Sequence, residues 1–118
     1  MNIEQLREFC LSLPGVTEDM KWGDHLCFCV AEKIFLIVGL DENPLKASFK
    51  VPTEQFDELI AIDYFKQAPY LAKRQWVHIS DINKLNVEKW EHYAYQSYEI
   101  IKSKLPKKTQ KELENLVV

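Results

Sequence analysis

Two apolar segments, Leu26–Val30 and Ile34–Val38, stand only three residues apart. No other feature constrains the chain as strongly. The gap Ala31-Glu32-Lys33 is too short for the crossover that parallel strands require, so the segments are expected to pair as an antiparallel hairpin. Asp41-Glu42-Asn43-Pro44 reads as a second turn, because Asn and Pro suit turn backbones. It brings in a third strand over Lys46–Lys50. Ahead of the hairpin, Thr17–Trp22 reads as a polar strand at a sheet edge.

Helical periodicity flanks this region. Ile3, Leu6, Phe9, Cys10 and Leu13 recur at spacings of three and four. Asn2 and Gln5 are placed for a capping box, and Pro14-Gly15 ends the run. A second helix is expected to open at Pro52-Thr53, with Thr53 as N-cap, Glu54 in the first turn and an apolar face of Phe56, Leu59 and Ile60. Phe65–Ala72 shows no clear period. Trp76–Ile79 reads as a short strand serving the core, and Ser80–Asn83 as a turn. Asn86 can cap a long third helix with Trp90, Ala94, Ser97, Tyr98, Ile101 and Leu105 on one face. Beyond Pro106, Lys107–Val117 reads as a short last helix with Leu113, Leu116 and Val117 inward. The order of elements predicts an α+β fold, a single antiparallel β-sheet with helices packed on one face, formed by one domain over residues 1–118.

The totals bound the function. The longest apolar runs fall well short of the roughly 18–20 residues that span a bilayer, so no membrane partner is expected. The N-terminus carries neither a basic nor a continuous apolar leader, so the expected compartment is the cytoplasm. Three cysteines, Cys10, Cys27 and Cys29, are expected to stay reduced. Net charge is −3, unevenly spread: residues 1–63 hold 5 bases and 12 acids, residues 64–118 hold 10 bases and 6 acids. A basic half can meet an anionic partner, while overall acidity opposes strong non-specific DNA binding.

Four stretches, in order, resemble the MmcQ/YjbR family of small bacterial proteins. They are "LPGVTEDMKWGD" (Leu13–Asp24), "EKIFLIV" (Glu32–Val38) with "LKASFKVP" (Leu45–Pro52), "APYLAKRQWVHIS" (Ala68–Ser80), and "SYEIIKSKLPKK" (Ser97–Lys108). The resemblance implies a YjbR/CyaY-like two-layer sandwich. It also implies the family's DNA-binding label, which rests on a proposed pair of β-hairpin wings. The third stretch departs from the commoner pattern. Leu71 and Ala72 stand where many members carry polar residues, and Gln75 where a histidine is frequent.

Several constellations are candidates for chemistry. Lys73 and Arg74 beside Tyr70, joined by Lys33 and Lys46 on the hairpins and by Lys107 and Lys108, could contact phosphates while exposed Tyr70 or Trp76 stacks on a base. The bland alternative is solvated bases at the mouth of a core strand, with lysines late in a long helix suiting its dipole. His25, Cys27 and Cys29 share one strand face, yet residues two apart on one strand are poorly placed for a tetrahedral zinc site. Small buried thiols are the simpler reading, and no metal or other cofactor is expected. No nucleophile elbow, phosphate-binding glycine loop or zinc-protease helix is present, so no enzyme is expected. His78 and His92 have no partner by spacing. Trp90, Tyr93, Tyr98 and the Tyr70 loop could instead form an aromatic groove for a protein partner, although Trp90 and Tyr98 also suit the core. Tyr98 could tie its hydroxyl to the sheet or to the Tyr70 loop, and Trp22-Gly23 reads as a packed aromatic followed by a turn. The expected function is therefore non-enzymatic DNA binding by a monomer, with a small protein-interaction module lacking any nucleic-acid role as the alternative. DNA binding requires the named lysines and Arg74 to converge on one face.

Overall fold

The computed structural model describes residues 1–116. The first helix, α1 (Ile3–Ser12), begins where the sequence places it. The Asn2 side chain accepts the Gln5 N–H at 2.8 Å, and the Gln5 side chain accepts the Asn2 N–H at 3.1 Å. This reciprocal cap satisfies two backbone donors that the helix leaves open. Leu6 and Cys10 bury its inner face. Gly15 ends the turn with φ +75°, and a Cβ there would stand 2.2 Å from the Leu113 side chain. Only glycine permits both that backbone and that approach.

Six strands follow: β1 (Val16–Lys21), β2 (His25–Val30), β3 (Lys33–Gly39), β4 (Lys46–Lys50), β5 (Phe65–Gln67) and β6 (Trp76–Ile79). They form one sheet in the order β1-β2-β3-β4-β6-β5, and every neighbouring pair is antiparallel. The β2–β3 turn is two residues, Ala31-Glu32, with Lys33 already paired to Val30. Both turn residues have positive φ, 49° and 68°, the backbone that two-residue hairpins demand.

Three further α-helices complete the described residues: α2 (Thr53–Ile60), α3 (Val87–Ser103) and α4 (Lys107–Glu114). Asn86 caps α3 by accepting the Lys89 N–H at 2.8 Å. Thr53 does not cap α2: Pro52 takes that position without a side-chain bond, and Thr53 is the first helical residue. Leu113 is buried from α4, but Leu116 is exposed, and Val117 lies outside the described residues. A short 3-10 turn, Ile82–Lys84, occupies part of the expected Ser80–Asn83 turn.

Strand alternation sorts the core. Phe28, Leu36, Phe49, Val77 and Ile79 join Leu6, Trp90 and Tyr98 in one cluster beneath the helices. Phe49 sits at its centre, with the rings of Phe65, Trp90 and Tyr93 at 6.1, 5.6 and 5.3 Å. The polar ends of the two largest helix aromatics find backbone acceptors. Trp90 Nε1 donates to the Ile82 carbonyl and the Tyr98 hydroxyl to the Pro14 carbonyl, both at 2.7 Å. Tyr98 thus ties α3 to the end of α1, not to the sheet or the Tyr70 loop. The fold is the expected α+β sandwich of one sheet and one helical layer.

Candidate functional site: a cleft on the open sheet face

The face of the sheet opposite the helices is built by the alternate residues. His25, Cys27 and Cys29 of β2 do share it, as strand geometry requires. Cys27, Cys29 and Ile37 form a small second cluster, covered by Ile34 and Leu71. Burial pushes the Cys10 thiol up to about 12, and burial with the neighbouring Cys29 pushes the Cys27 thiol up to about 11. Among the described residues, no group of His, Cys, Asp and Glu is arranged to hold a metal ion.

Beside this cluster lies a cleft of about 660 Å³. Ile37, Ser48 and His78 contribute to its lining. The Ser48 hydroxyl and His78 Nδ1 meet at 3.0 Å across β4 and β6. Burial, then the nearby Lys66 charge, holds the His78 imidazole below its ordinary pKa, so the ring is neutral at physiological pH. His78 thus shares a face with Trp76, as alternation suggested. Trp76 is buried, but it lies opposite Val77 and Ile79 and outside the cluster under the helices. Only half of the Trp76–Ile79 strand serves that core.

The two lips of the cleft are aromatic. One is the β1–β2 turn, where Lys21 pairs with His25 and Trp22 has φ 53°. Trp22 is 67% exposed, not packed. A large side chain at the tip of so short a turn has no second layer to enter, and that signal was present in Trp22-Gly23. The Trp22 ring meets His25 edge-on, with centroids 5.8 Å apart. His25 Nδ1 stands 2.7 Å from an Asp24 carboxylate oxygen, without the alignment of a hydrogen bond.

The other lip is the loop from Pro69 to Leu71. Tyr70, at φ 64°, is fully exposed, while Leu71 packs onto the cysteine cluster. Gln67 organises this loop. Its Nε2 donates to the carbonyls of Ala68 and Leu71 at 2.9 and 3.3 Å, and its Oε1 accepts the Arg74 N–H at 2.9 Å. Nothing in the spacing of the sequence singled out Gln67, because a side chain that bonds backbone groups of a loop carries no periodic signal.

The basic residues divide among several places. Lys46 lines the cleft and pairs with Glu42 at 3.0 Å. Lys66 lines it too, with no carboxylate within 4 Å among the described residues. Arg74 does not face an open site. Its guanidinium makes two 2.9 Å bonds to Asp57 on α2 and lies 5.7 Å over the Phe56 ring, while Lys73 beside it is exposed. Lys33 stands at the opposite end of β3 from Gly39, four residues or about 13 Å at strand rise from Ile37, the nearest cleft residue of that strand. There it lines a separate groove with Lys104. Lys107 and Lys108 form the first turn of α4, whose Leu113 packs against Gly15. The seven expected contact residues therefore do not converge: Lys46 and Tyr70 meet at the cleft, and the others are placed elsewhere. Trp22, which the sequence suggested was packed, and Lys66, which it did not mark, join them. The aromatic groove of Trp90, Tyr93 and Tyr98 does not form either, since Trp90 and Tyr98 are core and Tyr70 lies across the sheet.

A family model described as YjbR matches residues 11–100. Two solved structures share the fold. The Deinococcus radiodurans protein DR2400, described as a DUF419 domain, superposes with a TM-score of 0.87 at 25% identity, over 96% of this chain and 88% of that one. A Pseudomonas syringae protein superposes with a TM-score of 0.70 at 16% identity, over 85% of this chain and 98% of that one. No curated protein matches the sequence. Among the described residues, no helix is long and apolar enough to cross a membrane.

Proposed function

The chain belongs to the YjbR family, and on that premise we propose that it is a non-enzymatic DNA-binding protein that takes unpaired bases on the open face of its sheet. One observation carries the reading. Two exposed rings, Trp22 and Tyr70, line the same cleft, whose lining also holds the cations of Lys46 and Lys66. Stacking of a base on an aromatic ring contributes roughly 1–3 kcal/mol and tolerates any base, because every base has a π-face. A cleft of about 660 Å³ has the size of a small-ligand site, and bases inside a duplex are already stacked, so single strands should bind better than duplexes. Lys46 and Lys66 would contact phosphates. That Lys46 also pairs with Glu42 is no obstacle, since exposed pairs are worth little and exchange readily.

The absence of catalysis belongs to the same proposal. Thiols pushed up to about 11 and 12 carry almost no thiolate at neutral pH and make poor nucleophiles. The half-buried His78 imidazole meets Ser48, and among the described residues no carboxylate hydrogen-bonds to it to orient a base.

Tryptophan emission tests the reading, because Trp22 is exposed whereas Trp76 and Trp90 are buried. Titration with a single-stranded oligonucleotide at low salt should quench the Trp22 contribution, and Trp22→Phe should remove most of the change. A quench that persists unchanged in Trp22→Phe would place the contact elsewhere. A protein-interaction module would use the same two exposed rings; it is favoured if no oligonucleotide binds even at low salt.

A further inference from the structure

One row of directly paired residues crosses the open face of the sheet. It runs from Cys27 on β2 through Ile37 on β3, Ser48 on β4 and His78 on β6 to Lys66 on β5. Paired residues of an antiparallel sheet project to the same side, and this row changes character along its length. Its first half, Cys27 and Ile37, is apolar and is packed by Ile34 and Leu71. Its second half, Ser48, His78 and Lys66, is polar and lines the cleft together with Trp22 and Tyr70.

Ser48 and His78 satisfy one another only in part. His78 Nδ1 is taken by the Ser48 hydroxyl at 3.0 Å. Among the described residues, Nε2 of the same ring has no hydrogen-bond partner, and it is not walled off from solvent. The unmet nitrogen is therefore open on the side of the ring that lines the cleft. In the neutral ring, one nitrogen carries a proton and the other a lone pair. With the proton on Nε2, the hydroxyl donates to Nδ1, so Nε2 remains as a donor and the hydroxyl oxygen as an acceptor. With the proton on Nδ1 the roles reverse: Nε2 accepts and the hydroxyl donates. In both tautomers the couple offers the cleft one donor and one acceptor.

We propose that Ser48 and His78 read the Watson–Crick edge of an unpaired base held in the cleft. This rests on the base-stacking reading of the cleft and adds what its floor recognises. Every base presents a donor next to an acceptor on that edge, and single-strand readers use it. Thymine and adenine present the two groups in opposite order. A proton shift within the couple, with rotation of the hydroxyl, suits it to either order. The couple therefore selects for an unpaired base without selecting a sequence. In a duplex the edge is already taken by the opposite base, so paired DNA is rejected at the floor as well as at the aromatic lips.

The test separates edge reading from stacking. The full chain is titrated at low salt with a short single strand of thymidines and with the same strand built from difluorotoluene, an apolar isostere that stacks like thymine but forms no comparable hydrogen bonds. Wild type should favour the thymine strand by about fivefold or more, the size of one or two neutral hydrogen bonds. Ser48→Ala and His78→Phe, both on the open face and outside the core under the helices, should bind the two strands alike. An adenine strand should lose affinity in Ser48→Ala as the thymine strand does. Equal wild-type affinity for the thymine strand and its isostere overturns the inference and leaves the stacking cleft standing, since both strands stack. A preference that survives both substitutions, or a loss confined to one of the two bases, overturns it in the same way. No binding of any strand by wild type overturns both this inference and the base-stacking reading.

Discussion

Ser97 Oγ accepts the backbone N–H of Lys50 at 2.9 Å. The same hydroxyl donates to the carbonyl of Phe35. A side chain of α3 thus joins two strands where their own ladder stops, since the β3–β4 pairing ends at Leu36 and Phe49. Phe35 lies opposite the register shift between Phe28 and Cys29, and a bulge of this kind leaves a backbone group without a strand partner. Removing the hydroxyl strands a buried donor and a buried acceptor together. Ser97→Ala should cost about 2–3 kcal/mol of stability, read as a lower urea midpoint at unchanged slope. A loss under about 0.5 kcal/mol would mean that water replaces the hydroxyl.

The Ala31-Glu32 turn holds two non-glycine residues at positive φ. Left-handed backbone costs such residues roughly 1–2 kcal/mol each. Replacing the pair by Asn-Gly, which favours this turn, should stabilise the protein by about 1 kcal/mol in the same denaturation experiment. The strand register should remain intact, since it is fixed by the apolar alternation on either side.

Arg74 provides a check on where the charge acts. Its bonds to Asp57 hold that carboxylate below, and Arg74 itself above, the ordinary values. Both groups are exposed, so Arg74→Ala should leave the denaturation midpoint nearly unchanged. It should also leave oligonucleotide affinity within a factor of about three, while Lys66→Ala lowers it and flattens its salt dependence by about 0.7 for one lost single-strand phosphate contact. If Arg74→Ala weakened binding as much as Lys66→Ala, the guanidinium would leave Asp57 for the ligand.

Much of this architecture is legible in the sequence because its signals are local. Asn2 with Gln5, Asn86, the short gap between β2 and β3, and the stripe from Trp90 to Tyr98 each lie within one element and carry a period or a cap. The site is less legible because its determinants are long-range. Ser48 meets His78 thirty positions on. Tyr98 bonds Pro14 across 84 positions, where the sequence suggested a nearer partner. Trp22 was misread because aromatic residues usually pack, and only the length of its turn shows that it cannot. Lys73-Arg74 looks like one basic unit in sequence, yet a positive φ at Arg74 directs its side chain to α2. Phe65–Ala72 lacked a period because β5 is a three-residue edge strand continued by a loop that Gln67 holds.

His78 sets a pH dependence. Its pKa is depressed in the folded state by burial and then by Lys66, so between the folded and unfolded values the unfolded chain binds more protons. The contribution is therefore complete above the unfolded pKa of about 6.5 and is lost as pH falls below it. His78→Gln, which can keep a hydrogen bond to Ser48, should lose less stability than wild type between pH 7.5 and pH 5.5. Parallel denaturation curves for the two proteins would contradict the neutral assignment of the ring.

The most direct measurement is fluorescence anisotropy of a labelled single-stranded oligonucleotide at low salt, with wild type, Trp22→Ala, Tyr70→Ala and the double variant. Expected is saturable binding by wild type that weakens on raising salt and exceeds binding of the matched duplex. Each single substitution should reduce affinity by about fivefold or more, in keeping with the loss of one stacked base, and the double variant should lose it nearly completely. Equal affinity in all four proteins, or no binding by wild type at the lowest salt, would contradict a base-stacking cleft between Trp22 and Tyr70.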